Sequence, residues 1–129
     1  MNIGIVGQGF VGTAVNEGLK QYHNIETYDI AKTSTCKSLA DLSEKSDVVF
    51  VCLPTPMKKD GSCHIDIVES TLLGLDIINE CKTIVVKSTI PPGTTEKWNS
   101  LFTNIQVVFN PEFLTEANAI EDFKNQNRI

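Results

Sequence analysis

Two glutamates, Glu112 and Glu116, stand one helical turn apart behind an Asn-Pro corner, in the stretch NPEFLTEANAIEDF from Asn110 to Phe123. Like charges at that spacing cost a few tenths of a kcal/mol, roughly, in a helix. A carboxylate beside water repays such a cost as a general base, a role worth about 10² to 10⁴ in rate. Two other stretches carry similar chemistry on stiff backbone. LPTP sets Thr55 between Pro54 and Pro56, and KSTIPPG puts the hydroxyls of Ser88 and Thr89 ahead of Pro-Pro-Gly. Each has a plainer reading, because prolines end strands and Ser or Thr satisfies nearby backbone.

Near the N-terminus GQGFVG places Gly7, Gly9 and Gly12 in a GxGxxG pattern. The first glycine permits a tight turn, the second lets backbone approach a pyrophosphate, and the third lets helix and strand pack closely. The pattern follows an apolar run and opens a stretch with Val11, Val15, Leu19 and Tyr22 at helical spacing. Asp29 closes the next strand-like run, where a carboxylate accepts hydrogen bonds from ribose hydroxyls and repels a 2′-phosphate. Strand, glycine turn, helix and acid together point to a dinucleotide, NAD rather than NADP. Lys32 stands near enough in sequence to reach the adenosine side.

The elements that must position these residues alternate. Strands are expected at NIGIV, at NIETYDI ending near Asp29, from Val48 to Leu53, at KTIVVKST and at NIQVVFN. A helix is expected from Ile65 to Ile78, with Asp66 favourable near its N-terminus, and a shorter one at PGTTEKWNSLF with Thr94 as its N-cap. Unbroken apolar strands suit a parallel sheet covered on both faces. The fold class is therefore α/β, a doubly wound parallel sheet of the Rossmann type, in one domain spanning residues 1–129. In such sheets ligands lie outside the carboxyl ends of the strands, which is where all three stiff loops fall. Lys58 to Gly61 reads as an exposed turn.

Composition sets limits. The net charge of -5 and pI near 4.9 argue against nucleic acid or an anionic membrane as partner. No apolar run has the length of a membrane span, and strand-like sequence from Asn2 leaves no room for a leader, so a cytoplasmic location is expected. Cys36, Cys52, Cys63 and Cys81 lack the paired spacing of zinc or redox sites and read as reduced structural thiols. His23 and His64 stand alone, and no metal is expected.

Taken in order, GIVGQGFVG, YDI, VCLPTP, DGS, KSTIPPGTT and NPEFLTEANAIEDF resemble the N-terminal domain of the UDP-glucose/GDP-mannose dehydrogenase family. The resemblance runs along almost the whole chain. It implies an NAD-dependent oxidation of a sugar C6 alcohol to a carboxylate, through an aldehyde and a cysteine-bound thioester. UDP-glucose is the favoured substrate, with GDP-mannose and UDP-N-acetylmannosamine as alternatives. By resemblance Gly7, Gly9, Phe10, Val11 and Gly12 hold the pyrophosphate, Asp29 and Lys32 the adenosine, and Pro54, Thr55, Thr89 and Glu116 the rest of NAD. Glu112, assisted by Thr89, activates the water that hydrolyses the thioester. The segment Glu112, Phe113, Leu114, Thr115, Glu116 lines the sugar site, although Thr115 stands where the family has arginine. The family's nucleophilic cysteine belongs to a second half, so the chain is expected to stop short of a sixth strand and to need that half, or a partner subunit, for catalysis. Pairing into homodimers is implied for the intact protein.

Overall fold

The computed structural model describes residues 1–31, 34–53, 55, 65–81, 83–88, 90–110, 120 and 124. Its elements are β1 (Asn2–Val6), α1 (Phe10–Leu19), β2 (Asn24–Tyr28), α2 (Leu39–Lys45), β3 (Val48–Val51), α3 (Asp66–Ile78), β4 (Thr83–Val86), α4 (Thr94–Leu101) and β5 (Gln106–Phe109). The five strands form one parallel sheet in the order β2-β1-β3-β4-β5. The fold is the expected doubly wound α/β sheet. The strand order reverses direction between β1 and β3, and the carboxyl ends there form the crevice in which this architecture binds ligands.

Alternation along the strands builds two cores, one on each face. Val6, Val49, Val51, Ile84, Val86 and Val107 face Leu42 of α2, Val68, Leu72 and Leu75 of α3, and Trp98 of α4. Ile3, Ile5, Phe50 and Cys52 face Ala14, Val15 and Leu19 of α1, with Ile120 packed against them. A strand buried on both faces needs no polar alternation, which is why the apolar runs are unbroken.

Three local expectations change. Helix α1 ends at Leu19, and Tyr22 lies beyond it, 75% exposed. The chain turns there through His23 N–H to Leu19 O at 3.0 Å, so helical spacing had extended past the last helical residue. Thr94 is the first residue of α4, not its cap; Gly93 takes that place at φ +84, where an L side chain is strained. Helix α2 was not foreseen. Its N-cap Ser38 accepts from Asp41 N–H, and seven residues are too few to show a period.

Five strands are present among the described residues, as expected. Ser34 to Cys36 runs along the outer edge of β2. Cys36 N–H donates to Thr27 O at 2.9 Å, while Thr27 and Thr35 exchange backbone-to-hydroxyl bonds of 2.8 and 3.0 Å. An otherwise open edge is thereby covered.

Candidate functional site: a glycine cradle at the switch point

The glycine turn is held from three strands. Gly7, at φ +96, donates its N–H to Tyr28 O at 2.9 Å, and a Cβ built on it would stand 2.8 Å from Cys52 O. Gly12 sits against the turn so closely that any Cβ there would collide with Gly7 O. These two positions therefore exclude side chains for different reasons, backbone angle at one and close approach at the other. Thr13 tightens the first turn of α1, its N–H reaching Gly9 O at 2.9 Å and its hydroxyl Gln8 O at 3.2 Å.

Gly9 differs from both. It is the N-cap of α1, in extended conformation at φ -73, with no side-chain cap and no acidic residue in the first turn. A Cβ there would meet nothing within 4 Å. A helix N-terminus carries orphan N–H groups and about half a positive charge. Among the described residues no side chain caps this one, which is the form of a pyrophosphate cradle.

Asp29 locks that cradle to the end of β2. Its Oδ2 accepts Gln8 N–H at 2.7 Å and its Oδ1 accepts Ala31 N–H at 2.8 Å. The link to Gln8 is a role that spacing alone did not reveal. Ile30, directly after Asp29, is 91% exposed, an apolar surface beside the acid that sequence reasoning also passed over. An isoleucine following the acid at a strand end was the available signal.

The remaining strands end on the same edge. Cys52 N–H donates to Val6 O, Lys87 N–H to Val51 O and Asn110 N–H to Val86 O, at 2.8, 2.9 and 3.0 Å, so the ladder runs one residue past each strand. Thr55, Ser88 and Asn110 thus emerge on the edge that carries Gly7 and Asp29. Ser88 takes the plainer of its two roles: its hydroxyl donates to Leu53 O at 2.6 Å, tying the loop after β4 to the loop after β3. Lys87, 2% exposed, lies with its ammonium 5.9 Å from the centroid of the Phe50 ring, a buried cation beneath the crevice. Lys32, Pro54, Thr89, Glu112, Phe113, Leu114, Thr115 and Glu116 lie outside the described residues, as do Cys63, His64 and the 58–61 turn. The side chain of Phe10 is likewise not described.

Cys36, Cys52 and Cys81 are buried and form no disulfide. Burial pushes the Cys36 and Cys81 thiols up from their ordinary value, the opposite of what an activated nucleophile needs. Among the described residues no group of His, Cys, Asp and Glu could hold a metal ion, and no helix is long and apolar enough to cross a membrane.

Comparison with known proteins agrees with this geometry. Residues 24–129 match the UDP-glucose/GDP-mannose dehydrogenase family, NAD binding domain. UDP-glucose 6-dehydrogenase of Pseudomonas aeruginosa is 32% identical over 113 residues, covering 78% of this chain and 25% of that protein. The structure of a UDP-glucose dehydrogenase from Pyrobaculum islandicum superposes with a TM-score of 0.81 at 25% identity, covering 95% of this chain and 38% of that one. A GDP-mannose dehydrogenase from Pseudomonas aeruginosa gives 0.80 at the same identity and the same coverage. The chain therefore spans well under half the length of these relatives. Cradle, acid and strand order fit the cofactor that the matched domain binds, and the chain belongs to the UDP-glucose/GDP-mannose dehydrogenase family as an NAD-binding domain.

Proposed function

We propose that this chain is the NAD-binding part of a UDP-glucose 6-dehydrogenase, which converts UDP-glucose and two NAD to UDP-glucuronate for polysaccharide biosynthesis in the cytoplasm. The observation that carries the reading is the open cradle at Gly9, locked to Asp29 through Gln8 N–H. NAD, when bound, supplies the hydride acceptor. The chain's own part is to hold and orient. N–H groups of Phe10, Val11 and Gly12 at the start of α1 meet the pyrophosphate, and the Asp29 carboxylate at the end of β2 meets the adenosine ribose. Ile30 supports the adenine ring, with Lys32 beside it. Pro54, Thr55, Thr89 and Glu116 complete the cofactor site from the loops after β3, β4 and β5.

Glu112 is assigned the chemical role, as the base that takes a proton from the hydrolytic water, with Thr89 assisting and residues 112–116 lining the sugar site. The described thiols are buried and ill suited to attack, and by the family resemblance the nucleophilic cysteine comes from further chain or a partner subunit. Paired subunits are part of the same reading. The nearly equal likeness to a GDP-mannose dehydrogenase supports a second reading, in which the same domain serves that sugar.

The test is reconstitution with the second half of a UDP-glucose 6-dehydrogenase, following NADH absorbance with UDP-glucose, GDP-mannose and UDP-N-acetylmannosamine in turn. Two NADH per UDP-glucose consumed are expected. Turnover of GDP-mannose alone would select the second reading. NAD binding without turnover of any sugar would mark a binding module and overturn both.

A further inference from the structure

At its carboxyl end the sequence treats the two neighbours of β3 differently. Backbone groups alternate along a strand. Cys52 faces β1, giving its N–H to Val6 O at 2.8 Å, and Val51 faces β4, where its O receives Lys87 N–H at 2.9 Å. The next rung toward β1 would need an N–H at position 54, and Pro54 has none to give. The next rung toward β4 needs a donor for Leu53 O, and Ser88 supplies it from its side chain, Oγ to O at 2.6 Å. A hydroxyl thus stands in for the backbone N–H that would otherwise continue the ladder.

This bond lies against the cofactor cradle. The Leu53 side chain comes up to the glycine turn, where a Cβ on Gly7 would stand 3.3 Å from Leu53 Cδ2, and Thr55 follows two residues later. Ser88 is buried, so little water competes for its hydroxyl, and the bond is at the short end of the range for O–H donors. The turn itself does not depend on it. Tyr28 O holds Gly7 N–H and Asp29 holds Gln8 N–H, both from β2 on the other side of the switch point. Ser88 therefore acts on one wall of the crevice, and the pyrophosphate cradle belongs to the other.

We propose that Ser88 is a positioning residue for the cofactor: its bond to Leu53 O sets where the chain after β3 leaves the sheet, and so where Thr55 meets the nicotinamide half of NAD. The inference rests on the proposed contact between Thr55 and that half. It divides the site in two. Adenosine and pyrophosphate are held from the β1–β2 side without Ser88, whereas the nicotinamide half needs it.

The experiment titrates the unaltered protein and Ser88→Ala with two ligands, NADH, followed by its own fluorescence, and ADP, followed by calorimetry. ADP carries adenosine and the two phosphates without the nicotinamide half. The unaltered protein is expected to bind NADH more tightly than ADP. In Ser88→Ala, NADH affinity should fall roughly fivefold to tenfold, the scale of one lost hydrogen bond, while ADP affinity stays within about twofold. Unchanged NADH affinity overturns the proposal and leaves Ser88 as a structural bond only. An equal loss for both ligands also overturns it, because the bond would then support the whole site rather than one wall. Should Ser88→Ala fail to fold, Ser88→Cys fills the space with a thiol that donates only weakly, and carries the same expectation and the same overturning results. The reading beneath the proposal fails separately: an unaltered protein that binds NADH no more tightly than ADP removes the contact assigned to Thr55, whatever the variants do.

Discussion

The two halves of the sheet, on either side of the switch point between β1 and β3, are held together by different means. On the β1–β2 side the glycine turn is shaped by backbone contacts, with Asp29 the side chain that ties it to β2. Gly7 N–H meets Tyr28 O, Gly12 abuts Gly7 O, and Thr13 N–H meets Gly9 O. On the β4–β5 side, side chains reach from one element to another. Trp98 donates its ring N–H to Glu69 at 2.9 Å, Asn104 N–H donates to Asp76 at 2.7 Å, and Asn99 takes both groups of Val107. A site that binds a ligand through backbone N–H groups cannot tolerate side chains in the way, so glycine contacts and capping geometry fix its shape. The half that serves as support has no such restriction and is stitched by ordinary polar bonds.

The largest effect should come from breaking the backbone half at its tightest point. Gly12→Ala forces a methyl into Gly7 O, and neither backbone segment can retreat without opening the turn. A loss of about 3 kcal/mol or more is expected, at the upper end of overpacking costs. Urea unfolding followed through the single tryptophan, Trp98, measures it. A variant as stable as the parent would show that the helix does not in fact rest on the turn.

This contrast also decides what could be read from the sequence. The backbone half was legible because glycine spacing, an apolar run and a terminal acid are local signals, each with a single geometric solution. Strands β1, β3, β4 and β5 were legible through their apolar runs and helix α3 through its period. Helix α2 was not, since seven residues between Leu39 and Lys45 hold fewer than two turns; only Ser38 with Asp41 signalled its start. The stitches of the other half were invisible for a different reason. Nothing in the neighbourhood of Glu69 indicates Trp98, 29 residues away, and Asn99 reads as one more polar residue on a helix. The segment that follows β5 belongs to neither group. Its glutamates were conspicuous by type and spacing, and their roles rest on resemblance.

A smaller loss should follow from cutting a stitch. Trp98 is fully buried, and its N–H has Glu69 Oε1 as partner. Glu69→Ala leaves that donor unsatisfied, at a cost of about 1–3 kcal/mol. Glu69→Gln keeps an acceptor in place and loses only the favourable charge near the N-terminus of α3, about 0.3–1 kcal/mol. The difference between the two variants therefore isolates the bond from the dipole effect. NAD affinity should be the same in both, because the stitch lies in the supporting half. A change in affinity that tracks the change in stability would break the division between halves.

The smallest effect on stability, and the sharpest on binding, is expected at Gly9. It shares its motif with Gly12, but its backbone angle suits any L residue and a Cβ there meets nothing within 4 Å. Gly9→Ala should therefore unfold within about 0.5 kcal/mol of the parent, as substitutions clear of packed features do. The methyl would occupy the space where backbone and pyrophosphate must meet, so NAD affinity should fall about tenfold, equivalent to roughly 1.4 kcal/mol. Calorimetric titration with NAD beside a urea curve gives both numbers from one preparation. A variant that binds NAD as well as the parent would mean that the open space at Gly9 is not where the pyrophosphate lies. One that loses stability as Gly12→Ala does would mean that the space closes in solution. Only the combination of kept stability and lost affinity distinguishes a glycine retained for a ligand from a glycine retained for the fold.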